Sequence, residues 1–284
     1  YETNLSTWYS IVTNVPITNQ YYQWTNKVVS GVGRWRVVLN PDNNVRDMSD
    51  TPISWKTSVT DRMVFYVNDT STVNDAYCAS VGAVTNHGLS RGQPLPGLQA
   101  VLDTYHMAPN DLIYVDTGTY RLTNAITPSL SDQGIAGWPV VIRGSTNMAA
   151  GGTILTPTNT NMRAIYMDGV DHWRMENVAI QSAFYGVELL NSANSNEFVA
   201  CWFRNNYSGV RGSSGYGNHF ENCVAANNSY AGVEGFGPGG TVGSGNTWKN
   251  GASYGNTYAF YVTGLSASNS VMVGGTAFGV DVLG

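Results

Sequence analysis

The feature that most constrains this chain is a repeat. From Arg163 onward, five segments can be laid under one another: Ala164-Ile165-Tyr166, Gly186-Val187-Glu188-Leu189, Gly209-Val210-Arg211, Gly232-Val233-Glu234 and Ala259-Phe260-Tyr261. Starting at Ile165, the aligned apolar positions step by 22, 23, 23 and 27 residues. A second register runs inside the first, through Met175-Glu176-Asn177-Val178, Phe198-Val199-Ala200-Cys201 and Phe220-Glu221-Asn222-Cys223. Asparagine pairs, Asn205-Asn206 and Asn227-Asn228, come shortly before the next Gly-Val. A period in the twenties, with short strands and Gly or Asn at the corners, predicts a β-solenoid. The leucine frame of leucine-rich repeats is absent. Each coil pairs with the one below it about 4.8 Å away, and alternate side chains point inward. Leu112–Tyr120 and Val140–Gly144 supply earlier coils. The expectation is about seven coils, a rod of roughly 35 Å.

Composition agrees. Only 12% of residues are charged, while 32 Gly and 17 Tyr stand among many Asn, Thr and Ser, and 42% of the chain is hydrophobic. That supplies a core, tight turns and polar outward strand positions. The net charge of −5 and the lack of a Lys/Arg run argue against nucleic acid as a partner. No apolar stretch is long enough to span a membrane.

Residues 82–122 form the entry to the solenoid. They run Gly82, Asn86-His87-Gly88-Leu89-Ser90, Pro94, then Leu98-Gln99-Ala100-Val101-Leu102-Asp103-Thr104-Tyr105, Pro109-Asn110-Asp111-Leu112-Ile113-Tyr114-Val115 and Gly118-Thr119-Tyr120. Apolar residues at 98, 101, 102 and 105 predict a short amphipathic helix. Such a helix covers the open apolar end of a first coil. This stretch resembles the N-terminal cap of pectate-lyase-like right-handed parallel β-helix proteins. The resemblance implies an all-β, right-handed parallel β-helix over residues 59–284. It departs at Ala83, Val84 and His87, where that family usually carries acids. No motif implies a cofactor, and Ca²⁺ stays open as the one alternative.

Residues 1–58 read as a separate unit. Short strands are expected at Trp8–Val12, Tyr21–Trp24 and Arg34–Leu39, and a turn at Asn40–Asn44. Asp47–Trp55 follows. The order resembles the back half of a fibronectin-type-III-like surface module, which implies a small partial β-sandwich. Its front strands do not precede Tyr1. No capping element follows the last coil before Gly284. Both ends read as a segment of a larger polypeptide, or as surfaces completed by flanking domains or by other copies of the chain. The start at Tyr1 without a leader reads as a processed product.

Two function classes follow. One is an extracellular or cell-surface structural protein, a segment of an adhesin, filament or surface layer. The other is a module that binds or degrades acidic polysaccharide, as a lyase or hydrolase. Lyases need a cation or Arg to neutralise a uronate and a base. Hydrolases need two carboxylates. The chain lacks the Asn-Thr-Asp, Asp-Asp, Gly-His-Gly and Arg-Ile-Lys set of polygalacturonases. The best catalytic constellation is Asp168, Asp171, His172 and Arg174. The register brings Glu197 and then His219 close to His172, and Glu221 near Arg174 and Glu176. Tyr207, Tyr216, Tyr230, Tyr254 and Tyr258 crowd corners and loops, where rings stack on sugars, meet a partner protein or pack on one another.

The four histidines show no zinc-type spacing, so no metal site is expected. Cys201 and Cys223 become neighbours in adjacent coils, as stacked buried thiols or as a disulfide. Sequons occur at Asn4, Asn68, Asn206 and Asn227. The glycines near 231–245 read as a loop bulging from one corner.

Overall fold

The computed structural model describes residues 2–3, 7–8, 10, 13, 31–38, 46–48, 53–213, 215–235 and 245–283. From residue 112 onward it is a parallel solenoid with three faces. The first face stacks Leu112–Val115, Val140–Gly144, Trp173–Glu176, Glu197–Val199, His219–Glu221 and Asn246–Lys249. The second stacks Gly118–Leu122, Thr153–Pro157, Val178–Gln181, Trp202–Arg204, Val224–Ala226, Ala252–Tyr254 and Val271–Val273. The third stacks Ile165–Asp168, Tyr185–Leu190, Ser208–Gly212 and Ala231–Gly235. Strand Tyr258–Ser268 turns the corner, pairing with the third face at one end and the first face at the other. Strand Thr276–Leu283 pairs along Tyr258–Ser268 in turn, so the first face carries eight layers from Leu112, against the roughly seven coils expected from the repeat.

The register follows the sequence alignment. Ile165, Val187, Val210, Val233 and Phe260 are paired in succession, and so are Met175, Phe198 and Phe220. Inward positions form ladders of like residues. One runs Phe65, Ile113, Ile142, Met175, Phe198, Phe220 and Trp248, each at most 3% exposed. Phe198 and Phe220 stack at 5.0 Å with planes 6° apart. Each such side chain contributes about 1.5–3 kcal/mol by leaving water.

The corners are built by asparagine. At the corner between third and first faces, Asn196, Asn218 and Asn246 stack; between second and third faces, Asn206, Asn228 and Asn256 do the same. All six are buried. Each Oδ1 accepts a backbone N–H from the preceding coil, as in Asn196 N to Asn218 Oδ1 at 3.0 Å and Asn206 N to Asn228 Oδ1 at 3.0 Å. Each Nδ2 donates to a carbonyl, as Asn218 does to Ala193 O at 3.0 Å. Corner backbone that a strand ladder cannot satisfy is thereby paired. The residue before each asparagine takes positive φ: Ser195, Gly217 and Gly245, and Asn205, Asn227 and Gly255. The third corner uses a single positive-φ residue, Asn177, Ala200, Asn222 and Asn250 in turn. Ala200 is the misfit, since a Cβ disfavours this region and Asn tolerates it.

The predicted cap is present. Helix Leu98–Thr104 buries Leu98, Val101 and Leu102. Strand Val64–Val67 pairs with Leu112–Val115 on one edge. Its other edge is occupied: Tyr66 N–H donates to Gly88 O at 2.7 Å and Leu95 N–H to Tyr66 O at 2.9 Å. Asp116, fully buried, accepts the N–H groups of Ala76, Tyr77, Cys78 and Thr117 and holds the connecting loop.

Before the cap, strands Thr7–Trp8, Glu2–Thr3, Gly31–Arg34 and Ile53–Trp55 form an antiparallel sheet, and Arg36–Val38 pairs with Arg46–Met48. The expected strand at Tyr21–Trp24, the turn at Asn40–Asn44 and most of the glycine loop at 231–245 lie outside the described residues. A buried ion pair ties this part to the solenoid, Lys56 Nζ lying 2.7 Å from Asp111 Oδ1.

Burial answers two points that residue order leaves open. Cys201 and Cys223 are free, fully buried thiols, not a disulfide. Burial pushes the Cys223 thiol well above its usual range, which suits its role as a small apolar filler. Asn68 and Asn206 are buried and hydrogen-bonded, so these two sequons are not glycan acceptors in the folded chain. Asn227 is exposed, and Asn4 is outside the described residues.

Two measurements test this reading. Asn218→Ala strips partners from two buried backbone groups and is expected to lower urea-unfolding stability by about 2–4 kcal/mol, whereas Ala200→Asn raises it by about 0.5–1 kcal/mol. A thiol reagent is expected to leave Cys201 and Cys223 untouched in the native protein and to label all three cysteines in denaturant.

Candidate functional site

The outward positions of the first face gather the charges of the early coils. Val141, Arg174, Glu197, His219 and Thr247 form one row, and Tyr66, Tyr114, Arg143, Glu176, Val199, Glu221 and Lys249 the other. Strand pairing places Arg174 directly against Glu197 and Arg143 directly against Glu176. Arg143 Nε donates to Glu176 Oε2 at 2.6 Å, Arg174 Nε to Glu176 Oε1 at 2.6 Å, and Arg174 Nη1 to Glu197 Oε2. Burial alone would raise the Glu176 carboxyl, but the hydrogen bonds from Arg143 and Arg174 outweigh it and hold it below the usual carboxylate range. Glu176 therefore stays ionised and is unsuited to act as a general acid.

These residues line an open groove of about 350 Å³. One wall is a tight hairpin in which Trp138 N–H donates to Ile135 O at 2.8 Å and Ile135 N–H to Trp138 O at 3.2 Å. It carries half-buried Trp138 over the strand face. The far end holds Arg62, whose guanidinium is fixed on Asn110 Oδ1 at 2.6 Å. Three arginines thus face two glutamates, and Arg62 is held by a neutral amide. His172 completes the rim. It stands at the corner position that later coils fill with Ser195, Gly217 and Gly245, with φ of 56°.

The structure divides the four residues named from sequence. His172 and Arg174 line the groove together. Asp168 lies on the third face, accepting from Asn191 Nδ2 at 2.6 Å and Tyr166 OH at 3.3 Å. Asp171 takes the backbone N–H of Asn194 at 2.6 Å and braces the corner. Glu197 and His219, expected close to His172, stack on Arg174 two positions along the strand, and Glu221 sits two coils along from Glu176.

Of the tyrosines, Tyr207 is sandwiched between Phe184 at 4.6 Å and Tyr230 at 5.1 Å, with planes within 4° of parallel. Its faces are taken by neighbouring rings. Tyr258 meets Tyr230 edge-on at 5.2 Å. Tyr216 is 56% exposed at a corner, and Tyr254 is half-buried on the second face. Sequence reasoning missed Arg62, Trp138 and Arg143. The first two lie in irregular segments, and Arg143 belongs to a coil too long to align with the repeat. Among the described residues no three His, Cys, Asp or Glu side chains gather as metal ligands, and no helix is long and apolar enough to cross a membrane.

Comparison with known proteins bears on this framework. The sequence model of the right-handed β-helix region matches residues 160–282. The fold is a right-handed parallel β-helix. Among solved structures, a pectate lyase shares it at 20% identity over 74% of this chain, with a TM-score of 0.59. A rhamnogalacturonan lyase does so at 18% identity over 74%, with a TM-score of 0.51. The match spans 53% and 56% of those chains, about half their length. No curated protein matches the sequence. The fibronectin-like resemblance of residues 1–58 has no counterpart in these matches.

The electrostatics of the groove can be checked through pH. The folded Glu176 carboxyl titrates below its ordinary value near 4.5, so its contribution to stability is present above that pH and is lost as pH falls through the folded value. Glu176→Gln is expected to flatten the acid limb of melting temperature against pH, with the difference from wild type shrinking below about pH 4.

Proposed function

We propose that this β-helix is an extracellular polysaccharide-recognition module that holds acidic glycan in the first-face groove. The observation that carries the reading is the excess of guanidinium over carboxylate in a groove walled by Trp138. Arg143 and Arg174 each spend part of their fork on Glu176 and Glu197, which fixes the fork and leaves other N–H donors for a sugar carboxylate or hydroxyl. The Trp138 ring offers an apolar surface to the C–H face of a sugar. Two relatives in fold are named as lyases of pectate and rhamnogalacturonan, which supports the choice of polysaccharide over a filament or surface-layer role. The structural reading rests on low charge, the missing catalytic motifs and the two ends of the chain, and most of residues 1–58 lie outside the described residues.

Elimination chemistry is the second reading, and the position of His172 beside Arg174 favours it. There, arginine neutralises the uronate carboxylate and thereby acidifies the adjacent C–H, the imidazole removes that proton as the glycosidic C–O bond breaks to leave a C=C bond, and water in the open groove protonates the departing sugar oxygen. Glu176, held ionised, has no acid role in this scheme.

Affinity electrophoresis in polygalacturonate, rhamnogalacturonan and alginate gels tests the first reading. Arg143→Ala and Arg174→Ala are each expected to weaken retardation roughly ten- to a hundredfold, the loss of one charge-assisted contact, and added salt is expected to weaken it further. Retardation that ignores both substitutions removes the groove from the account. Absorbance at 235 nm on the same polymers tests elimination. His172→Asn keeps the left-handed corner and should abolish any such signal while binding persists.

A further inference from the structure

The third face carries a second polar and aromatic cluster, none of which lines the groove. Glu188, Arg211, Glu234 and Tyr261 occupy one outward row in successive coils. Glu188 is fully buried and ion-paired by both Arg163 and Arg211, the latter at 2.5 Å. Glu234 accepts the Ser208 hydroxyl at 2.8 Å, and Arg211 Nε lies 3.5 Å from its other oxygen. Burial raises the Glu234 carboxyl above its ordinary range, with Ser208 and Arg211 working against the rise. Two arginines thus face two carboxylates, and the cluster neutralises itself.

Aromatic rings border this row. The Arg211 guanidinium lies 4.9 Å over the Tyr185 ring. Tyr261 follows Glu234 in the next coil, is 46% exposed, and packs at 5.2 Å from Tyr258 and 5.8 Å from Tyr230. Those neighbours restrict the ring, so a partly exposed aromatic surface is fixed at low entropic cost beside fixed hydrogen-bonding groups.

We propose that the third face is a second saccharide-binding surface, centred on Tyr261, Glu234 and Arg211, and that its ligand is an uncharged polysaccharide. Charge complementarity sets the class. Two arginines against two carboxylates leave no net positive charge to draw an anionic polymer, unlike the groove with its third guanidinium, Arg62, and a basic peptide would meet Arg163 and Arg211. A neutral glycan uses what is present: a ring for its C–H face and the part-exposed Arg211 guanidinium for its hydroxyls, with buried Glu234 holding that guanidinium in place. This surface is independent of the groove and stands or falls separately from it.

The test is affinity electrophoresis of the full chain in mixed-linkage β-glucan, galactomannan, arabinoxylan and arabinogalactan. At least one is expected to retard the protein, with little change when salt is raised to about 0.5 M. Tyr261→Ala should weaken that retardation at least fivefold, Glu234→Gln should weaken it less, and Arg143→Ala should leave it unchanged. Melting curves confirm folding, and Tyr261→Phe, which keeps the ring, should retain binding even if Tyr261→Ala proves unstable. The proposal is overturned if no neutral polymer retards the chain, if Tyr261→Ala binds as wild type, or if Arg143→Ala removes the binding. It is also overturned if the wild type sediments as a dimer that Tyr261→Ala dissociates, since the face would then serve a second copy.

Discussion

The structure depends on a buried asparagine that reaches back one coil. A solenoid turns sharply at every corner, and each turn takes backbone N–H and C=O groups out of the parallel ladder. Left unpaired inside the protein, each would cost roughly 1–3 kcal/mol. Asn196, Asn218 and Asn246 at one corner, and Asn206, Asn228 and Asn256 at another, pair them with both ends of the side-chain amide. Because each asparagine bonds its neighbour's backbone, successive corners are anchored to one another whatever the length of the coil between them, 22 residues from Asn196 to Asn218 and 28 from Asn218 to Asn246. The extra residues of the longer coil must therefore be accommodated between its anchors.

Register at the corners becomes register on the faces. Once Phe198 sits over Met175, Glu197 must sit beside Arg174, because side chains alternate along each strand. The charged rows on the first and third faces are thus consequences of coil length, and their chemistry differs. At the first face, three arginines meet two glutamates in an open groove walled by a hairpin. On the third, two arginines and two glutamates close on one another beside packed tyrosines. The Glu176 and Glu188 carboxylates are largely or fully buried while Arg143, Arg174 and Arg211 are 34–38% exposed, so the cost of burying charge offsets much of the attraction. The consequence of these pairs is orientation, the fixing of guanidinium groups in directions a ligand can use.

Much of this was legible from residue order. The Gly-Val of successive coils marks third-face strands, and apolar residues at 98, 101, 102 and 105 mark the capping helix. The third-face charges were legible too. Glu188, Arg211 and Glu234 each follow the repeated Gly-Val, so a column of alternating charge stood in the alignment. The groove was only half legible. His172 and Arg174 belong to a regular coil, but Arg143 lies in a long coil that breaks the period, and Arg62 and Trp138 come from loops whose course no periodicity encodes. Asp168 and Arg174 are six residues apart in sequence and on different faces, because the chain turns a corner between them. The tyrosines near the corners mislead for a related reason: sequence shows a ring, not whether another ring already covers its faces.

The central claim is that ligand is held by the arginines of the first face. Arginine-selective modification of the native chain, read by mass spectrometry with and without bound acidic polysaccharide, tests it most directly. The account predicts that Arg62, Arg143 and Arg174 are shielded by the polymer while Arg163 and Arg211 react unchanged. Shielding of Arg163 and Arg211 with no effect on Arg143 and Arg174 would contradict it.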